Sequence, residues 1–341
     1  MVNNRLAIVV LNWNGADDTI ACINSLLAQA KEVPDIILVD NYSRDNSIEV
    51  LEQYIKEKAL DIHFVKNKVN SGFTGGNNVG FKYALQQGYK YIGTLNPDAV
   101  ADEGWTTSLV YELEAHPDTC IVTGILARDD KKHIDTTGEQ YTIWGIPSPR
   151  GRDTLLTDAP KEPEYVFGST GGGFIARAEL LQEIGVFDEK FFMYFEDVDF
   201  CFRAQLAGYK VRYTPKAIAY HKLSASTNKV PGLAVYNTFK NLPMLYVKNM
   251  PLDLWWKTYP RFILAYTLIL GNAIIRGRGM PAMKGWLKSW LLLPHTFRER
   301  VKIQKNKKVP TSYIDGIILH DIPPEQTGLR KFRDFFIKSK R

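Results

Sequence analysis

The chain reads as an α/β fold, a mostly parallel sheet with helices on both faces, followed by a C-terminal helical region. Three observations carry that reading. Short runs rich in Ile, Val and Leu alternate with stretches of helical period over the first 124 residues. Polar residues gather where those runs end. Beyond about residue 226 the strand pattern stops, and Trp, Tyr and Leu interleave with Lys and Arg at helical spacing.

The apolar runs are LAIVVL (6–11), DIILVD (35–40), DIHFV (61–65), YIGTL (91–95) and CIVTG (120–124). Near-continuous apolar character is what a strand covered on both faces requires. The first run, six residues long, is too short for a signal-peptide core and reads as the first strand. Residues 17–30, 45–58, 77–87 and 103–115 supply the intervening helices. Strand and helix in turn imply parallel pairing through crossovers. Asn12, Asn14, Asp40, Asn41, Asn96 and Asp98 then fall at strand ends. In open α/β sheets ligands bind beyond the carboxyl ends of the strands.

Two turns near those ends carry chemistry. SGFTGGNN (71–78) suits close backbone approach to a diphosphate at a helix start, or equally a tight turn needing positive φ. It is neither GxGxxG nor GxxxxGK[ST]. LNPDA (95–99) holds Asp98 in a proline-set turn. That carboxylate either caps the helix beginning near Asp102 or faces a diphosphate and holds Mg²⁺ or Mn²⁺.

Residues 127–165, rich in Asp, Pro, Gly and Thr with weak periodicity, read as a long surface connection. It serves either as a lid or acceptor-recognition loop or as an insertion without a specific role. FFMYFEDVDF (191–200) then places Glu196, Asp197 and Asp199 after four aromatics, at the start of a helix running to about residue 207. Asp199 and Arg203 have the i,i+4 spacing of a pair on the helix surface, and Glu196 suits the positive end of the helix dipole.

Composition excludes several classes. With 341 residues, 45% of them hydrophobic, the chain can bury a core and is not a disordered polymer. Cys22, Cys120 and Cys201 have no metal or disulfide spacing, which favours a reducing, cytoplasmic setting. The net charge of +6 is uneven: residues 222–341 hold 22 Lys and Arg against 6 Asp and Glu, and the preceding residues 21 against 31. A basic half suits nucleic acid, an anionic membrane surface or solubility. Neither a zinc finger nor an RRM-like signature is present, so nucleic acid is disfavoured. The longest apolar run, 262–275, has 14 residues against the roughly 20 that span a bilayer. Tryptophans beside basic residues instead suit helices lying in the interface. The tail LRKFRDFFIKSKR repeats this, with Leu329, Phe332, Phe335 and Phe336 on one face. The alternative is that these helices pack on one another or on a second subunit of a homo-oligomer.

NWNG (12–15), VDNYSRDNS (39–47), NSGFTGGNNVG (70–80), LNPDA (95–99), FDEKFFMYFEDVDFCFRAQLAGY (187–209) and AYHKLSAS (219–226) occur in an order that resembles the family 2 glycosyltransferases. Within that family the chain is most similar to the bacterial rhamnosyltransferase-like branch that builds cell-surface polysaccharide. The resemblance, over about residues 5–226, implies the GT-A fold. Its nucleotide-binding half would cover about 1–126 and its acceptor half about 127–226, leaving 227–341 as a basic amphipathic helical region. It implies an inverting, metal-dependent enzyme that moves a sugar from a nucleoside diphosphate to a hydroxyl of a lipid-linked saccharide. The implied donor is dTDP-rhamnose, with a UDP-hexose or a galactofuranosyl donor as alternatives. The implied location is the cytoplasmic face of the membrane, on the inner leaflet.

Position by position, the resemblance implies nucleoside contacts from Asn12, Asn14 and Asp40, and nucleotide or diphosphate contacts from Gly75, Gly76 and Asn77. The family's DxD position falls on Asn96-Pro97-Asp98, a departure in which the first acid is an amide and Asp98 remains as metal ligand. His221 matches a histidine that completes metal or diphosphate binding. The ED motif falls on Glu196-Asp197, with Asp197 the expected base. An in-line displacement needs one base for the attacking hydroxyl and positive charge for the leaving diphosphate. Tyr194 and Phe195, with Phe191 and Phe192, are expected to wall the acceptor pocket beside Glu196 and raise the basicity of Asp197.

Overall fold

In a computed structural model, residues 5–222 and 230–322 are described. The predicted aromatic face at 329–336 and the end of the AYHKLSAS block lie outside them. The alternating first part folds as β1 (Leu6–Asn12), α1 (Ala16–Leu27), β2 (Asp35–Asp40), α2 (Ser47–Glu57), β3 (Ile62–Lys66), α3 (Gly72–Gln87), β4 (Tyr91–Leu95), β5 (Ala99–Ala101), α4 (Trp105–Ala115) and β6 (Thr119–Arg128). β1 pairs in parallel with both β2 and β4, and β2 with β3. All seven residues of β1 are buried. Ile8 and Val10 join α1 and α4 in one apolar layer, whereas Ala7, Val9 and Leu11 join α3 in the other. The period-two alternation of a strand thus feeds two covered faces.

Two elements depart from expectation. β3 is an edge strand, so His63 is exposed within what was expected to be a buried run. α3 begins at Gly72, five residues before the expected start, and takes most of SGFTGGNN into its first turns. A Cβ on Gly76 would lie 2.4 Å from Leu11 Cδ1, and one on Gly80 2.5 Å from Val9 Cγ1. These glycines let the helix lie close against β1.

Residues 127–165 form β7 (Ile134–Thr136), β8 (Glu139–Tyr141) and β9 (Pro147–Pro149), with β10 (Glu164–Val166) at their end. The expected surface connection is therefore partly sheet: β7 pairs with β6, and Ile134 and Tyr141 are buried. The strands are three residues long, too short for an alternation to show in sequence. β11 (Gly173–Arg177) runs antiparallel between β4 and β6. After α5 (Ala178–Ile184) and α6 (Glu196–Leu206), β12 (Lys210–His221) pairs parallel to β6 and antiparallel to β5. The main sheet has order β10-β12-β6-β11-β4-β1-β2-β3.

The remaining described chain is helical: α7 (Leu233–Asn249), α8 (Trp255–Ile275), α9 (Gly279–Leu291), α10 (Leu293–Lys305) and α11 (Thr311–Ile317). These helices share one apolar core with Tyr141, Phe167, Phe191 and Phe202. Leu252–Ile275 is 24 residues long with mean hydropathy 1.2, enough by length and composition to cross a membrane. This corrects the 14-residue count, because the helix continues through Pro260 and the polar residues that interrupted the run. Its outer side carries exposed Trp256 and Ile275, and α9 adds exposed Leu291.

Asp199 and Arg203 do not form the expected surface pair. Asp199 is fully buried and Arg203 nearly so, because α7 covers this side of α6. Lys248 bridges Asp188 (2.7 Å) and Asp199 (2.9 Å), Asn249 Nδ2 donates to Asp199 at 2.8 Å, and Arg203 also donates to the carbonyls of Ile184, Gly185 and Val186. Burial alone would raise the pKa of Asp188, but Lys248 and His295 hold it far below the ordinary carboxylate range. Replacing Lys248 by Met leaves two carboxylates without their shared cation, at a cost of about 3–5 kcal/mol. The expected outcome is a lower Tm. A depressed carboxylate pKa gives stability that is present above about pH 4 and lost as pH falls further. Thermal unfolding at a series of acid pH values should therefore show a shallower pH dependence in Lys248→Met than in the parent.

Candidate active site

The carboxyl ends of the parallel strands meet at one edge. Asn12 and Asp40 are register partners across β1 and β2, and both side chains are buried. Asn12 Nδ2 donates to Asp40 Oδ2 at 2.7 Å, Ser43 Oγ donates to the same oxygen at 2.6 Å, and Thr19 Oγ1 donates to Asn12 Oδ1 at 2.8 Å. Asn14, at φ 54°, accepts from the Arg44 N–H at 2.7 Å. Asn12 and Asp40 thus lock two loops together, while the partly exposed Asn14 and the exposed Arg44 belong to the loops themselves. Asn41, also buried, ties these loops to the start of α3 by donating to Gly72 O (3.0 Å) and accepting from the Ser71 N–H (3.1 Å).

The segment expected to cradle a diphosphate is placed differently from the loop the sequence suggested. Gly75 packs against Ser71 and Gly76 against Leu11, and Asn77 donates to the Phe73 carbonyl of its own helix. The Thr74 N–H at the start of α3 donates to the Phe192 carbonyl at 3.1 Å. The first turn of α3 is therefore engaged by protein on this side.

Asn96, Asp98 and His221 converge at the same edge. β5 pairs Ala99 with His221, and the Lys222 N–H donates to Asp98 O, which brings the end of β12 beside the β4 turn. His221 Nε2 lies 3.1 Å from Asp98 Oδ1 and 3.2 Å from Asn96 Nδ2. Its Nδ1 lies 2.9 Å from Asp135 Oδ2, and Arg152 in turn holds Asp135 Oδ1 at 2.7 Å. Burial works against a charged imidazole here, but the hydrogen bonds to Asp135 and Asp98 outweigh it and lift the pKa of His221 to about 9. Asp98 does not cap α4, which begins seven residues later. Among the described residues no group of three or more His, Cys, Asp or Glu gathers to hold a metal ion. One carboxylate and an amide, joined by the imidazole once it has released its proton, fit a hard cation that takes most of its shell from phosphate oxygens and water. Asp135 stands where a carboxylate orients a ligating histidine.

Asp197 reaches this edge from the other direction. Its Oδ2 accepts from the Gly171 N–H at 2.7 Å and its Oδ1 from the Val198 N–H at 2.8 Å. The next peptide faces the opposite group: Gly172 O accepts from the Asn96 N–H at 2.9 Å, and a Cβ on Gly172 would lie 3.0 Å from Asn96 Nδ2. Two glycines therefore separate Asp197 from the Asn96, Asp98 and His221 group. Burial raises the pKa of Asp197, and the two backbone donors only partly offset it. Glu196 is raised further, by burial and then by the charge of Asp197, and its Oε2 has no partner among the described residues.

The aromatics before these acids do not all wall a pocket. Phe191 is fully buried within the helical core, whereas Phe192, Tyr194 and Phe195 are partly exposed. All three of the latter have positive φ, at 62°, 70° and 69°. Sequence reasoning passed over Gly171, Gly172, Asp135 and Asn241, whose amide contacts this aromatic turn. The glycine run 171–173 was a visible signal. Asp135 and Asn241 had none, since each lies far in sequence from what it touches. A cavity of about 1100 Å³, lined in part by Asp188, Arg203, Lys248, His295 and Lys302, shares none of the residues at this edge.

Residues 7–199 match the family model described as Glycosyl transferase family 2. The chain is 24% identical over 242 residues to the low-salt glycan biosynthesis hexosyltransferase Agl10 of Haloferax volcanii, covering 69% of this chain and 73% of that protein. It is 22% identical over 284 residues to the dTDP-rhamnosyl transferase RfbF of Shigella flexneri, covering 80% and 90%. Its fold is similar to a crystal structure of GalNAc-T7 with UDP, GalNAc and Mn²⁺, with a TM-score of 0.57 at 16% identity. That likeness covers 72% of this chain and 48% of the other, so the chain spans about half of that structure.

The placement of Gly76 is open to a direct check. Gly76→Ala forces a methyl group into Leu11 and should destabilise the ligand-free protein by about 1–3 kcal/mol, read as a fall in Tm. A glycine kept only for ligand approach would leave that Tm unchanged.

Proposed function

The chain belongs to glycosyl transferase family 2, and from that premise we propose that it transfers a sugar, with inversion, from a nucleoside diphosphate to a hydroxyl of a lipid-linked saccharide. The GT-A-like fold supplies the frame. One observation carries the reading: Asp197 lies on one side of the Gly171–Gly172 peptide, and Asn96, Asp98 and His221 lie on the other. An in-line displacement needs a base and a diphosphate-binding group on opposite sides of the reacting carbon, with little protein bulk between them.

Asp197 takes the proton of the acceptor hydroxyl at its carboxylate. Its raised pKa makes it a stronger base than an exposed aspartate, and the Gly171 N–H fixes its orientation. Asp98 and His221 would hold Mg²⁺ or Mn²⁺, and a cation held there would supply positive charge for the leaving diphosphate. Asn96 orients the diphosphate beside them. Asn14 and the loop pinned by Asn12 and Asp40 receive the nucleoside. Glu196, Tyr194 and Phe195 border the acceptor. The dTDP-rhamnosyl activity named for RfbF supports dTDP-rhamnose as donor.

The C-terminal helices are read as peripheral contacts with the anionic inner leaflet, where a lipid-linked acceptor is met. Exposed Trp256, Ile275 and Leu291 accompany exposed Arg261, Arg278 and Lys288. Co-sedimentation with anionic vesicles at low salt, weakened by 0.5 M salt, is the expected result; equal recovery with neutral vesicles, or none with either, would refute it.

The chemical assignment separates in two variants. Asp197→Asn should lower transfer from dTDP-rhamnose by roughly 10²–10⁴-fold while dTDP stabilises it as it does the parent. Asp98→Ala should lose the part of the dTDP-induced thermal shift that depends on Mn²⁺. In the parent, the rate should rise with pH through an acidic limb lying above the ordinary aspartate value near 4, because burial raises Asp197 and only its deprotonated form acts. Normal turnover by Asp197→Asn would sink the assignment of the base.

A further inference from the structure

We propose that Asn241 and Lys240 of α7 are positioning residues for Asp197, acting through the aromatic turn at 191–195. Both lie beyond the stretch matched to the family, 7–199. The inference rests on the reading of Asp197 as the base.

The turn would not keep its shape unaided. Phe192, Tyr194 and Phe195 all have positive φ, a region that bulky side chains avoid and occupy only where surrounding structure holds them. The holding contacts come from α7. Asn241 Nδ2 lies within donating distance of three carbonyls, those of Phe191 (3.0 Å), Met193 (2.8 Å) and Tyr194 (2.8 Å). Lys240 Nζ adds a bond to the Phe191 carbonyl at 3.0 Å. Asn241 is fully buried and Lys240 is 4% exposed. Asn241 Oδ1 has no partner among the described residues, so the amide is placed for its donors alone. From the opposite side the Thr74 N–H bonds the Phe192 carbonyl, while Phe192 packs over Gly72.

Phe195 is the residue at which this held turn becomes α6. Its carbonyl accepts from the Asp199 N–H at 2.9 Å, closing the first turn of the helix. Where Phe195 lies therefore sets where Asp197 emerges, and Asp197 must emerge within 2.7 Å of the Gly171 N–H. Release of the turn would let the helix start relax, admit water to Asp197 and break its alignment. Because α7 also packs against α9 and α10, the geometry of the base is joined to the C-terminal helices.

The test uses the full chain with dTDP-rhamnose as donor, membrane extract as acceptor and dTDP as binding probe. Asn241→Ala should lower kcat by 10- to 100-fold with dTDP affinity within twofold of the parent. The acidic limb of the kcat–pH profile should move down by at least half a pH unit, since a hydrated Asp197 is a weaker base. Asn241→Ser, which keeps one donor, should recover part of the loss. An unchanged kcat, an unchanged acidic limb, a loss of dTDP affinity that parallels the loss of rate, or failure of both variants to fold would overturn the proposal. Asp197→Asn, assayed alongside, separates the two readings: if it is inactive while Asn241→Ala is fully active, only the positioning role fails, and if it is active, the assignment of the base fails.

Discussion

The close approach of three chain segments at the Gly171–Gly172 peptide is the constraint on which the site depends. Asp197 at the start of α6 and Asn96 at the end of β4 meet this one stretch of backbone from opposite directions. Any side chain between them would push one away, since a Cβ on Gly171 already meets Asp197 Cβ at 3.3 Å and one on Gly172 meets Asn96 Nδ2 at 3.0 Å. The backbone here acts as a spacer of fixed width. Its N–H orients one functional group, and its carbonyl accepts from the backbone of the other. Groups distant in sequence thereby meet the same two residues of backbone.

That spacing survives only if α6 is held, and the holding groups are buried and charged. Lys248 lies between Asp188 and Asp199, and Arg203 binds Asp199 together with three carbonyls before the aromatic turn. A buried ion network costs desolvation and stabilises little compared with apolar packing. What it adds is direction: its donors and acceptors match in one register of α7 on α6. The same helix places Asn241 against the turn. The helical region thus braces this edge through polar contacts and shares its apolar core with Phe191 and Phe202. Its outer side, with Trp256 and Ile275 exposed, leaves apolar surface that the described chain does not cover.

Much of the α/β core was legible because its causes are local. The runs at 6–11, 35–40 and 91–95 became β1, β2 and β4 almost residue for residue, and the polar residues after them arrived at one edge because parallel strands end together. The C-terminal helices were legible from their period. The glycine segment misled: glycine permits both a ligand-cradling turn and a helix lying close against a strand, and only the position of Leu11 and Val9 against Gly76 and Gly80 decided for the second. The stretch 127–165 misled because three-residue strands carry no readable alternation. Asp199 and Arg203 have the spacing of a surface pair, and that spacing is the same whether water or α7 lies over it.

The sequence by itself determined the order of the elements, the strand ends on which Asn12, Asp40, Asn96 and Asp98 fall, and the start of α6 where Glu196 and Asp197 stand. Periodicity, turn residues and charge act over a few positions and can be read along the chain. Only the tertiary structure decided that Asp135 backs His221, that Asn12 and Asp40 are locked to each other, and that α7 grips the aromatic turn before Asp197. Those facts depend on segments 28 to 86 residues apart meeting one another, and no local pattern encodes which distant partner a buried polar group will find.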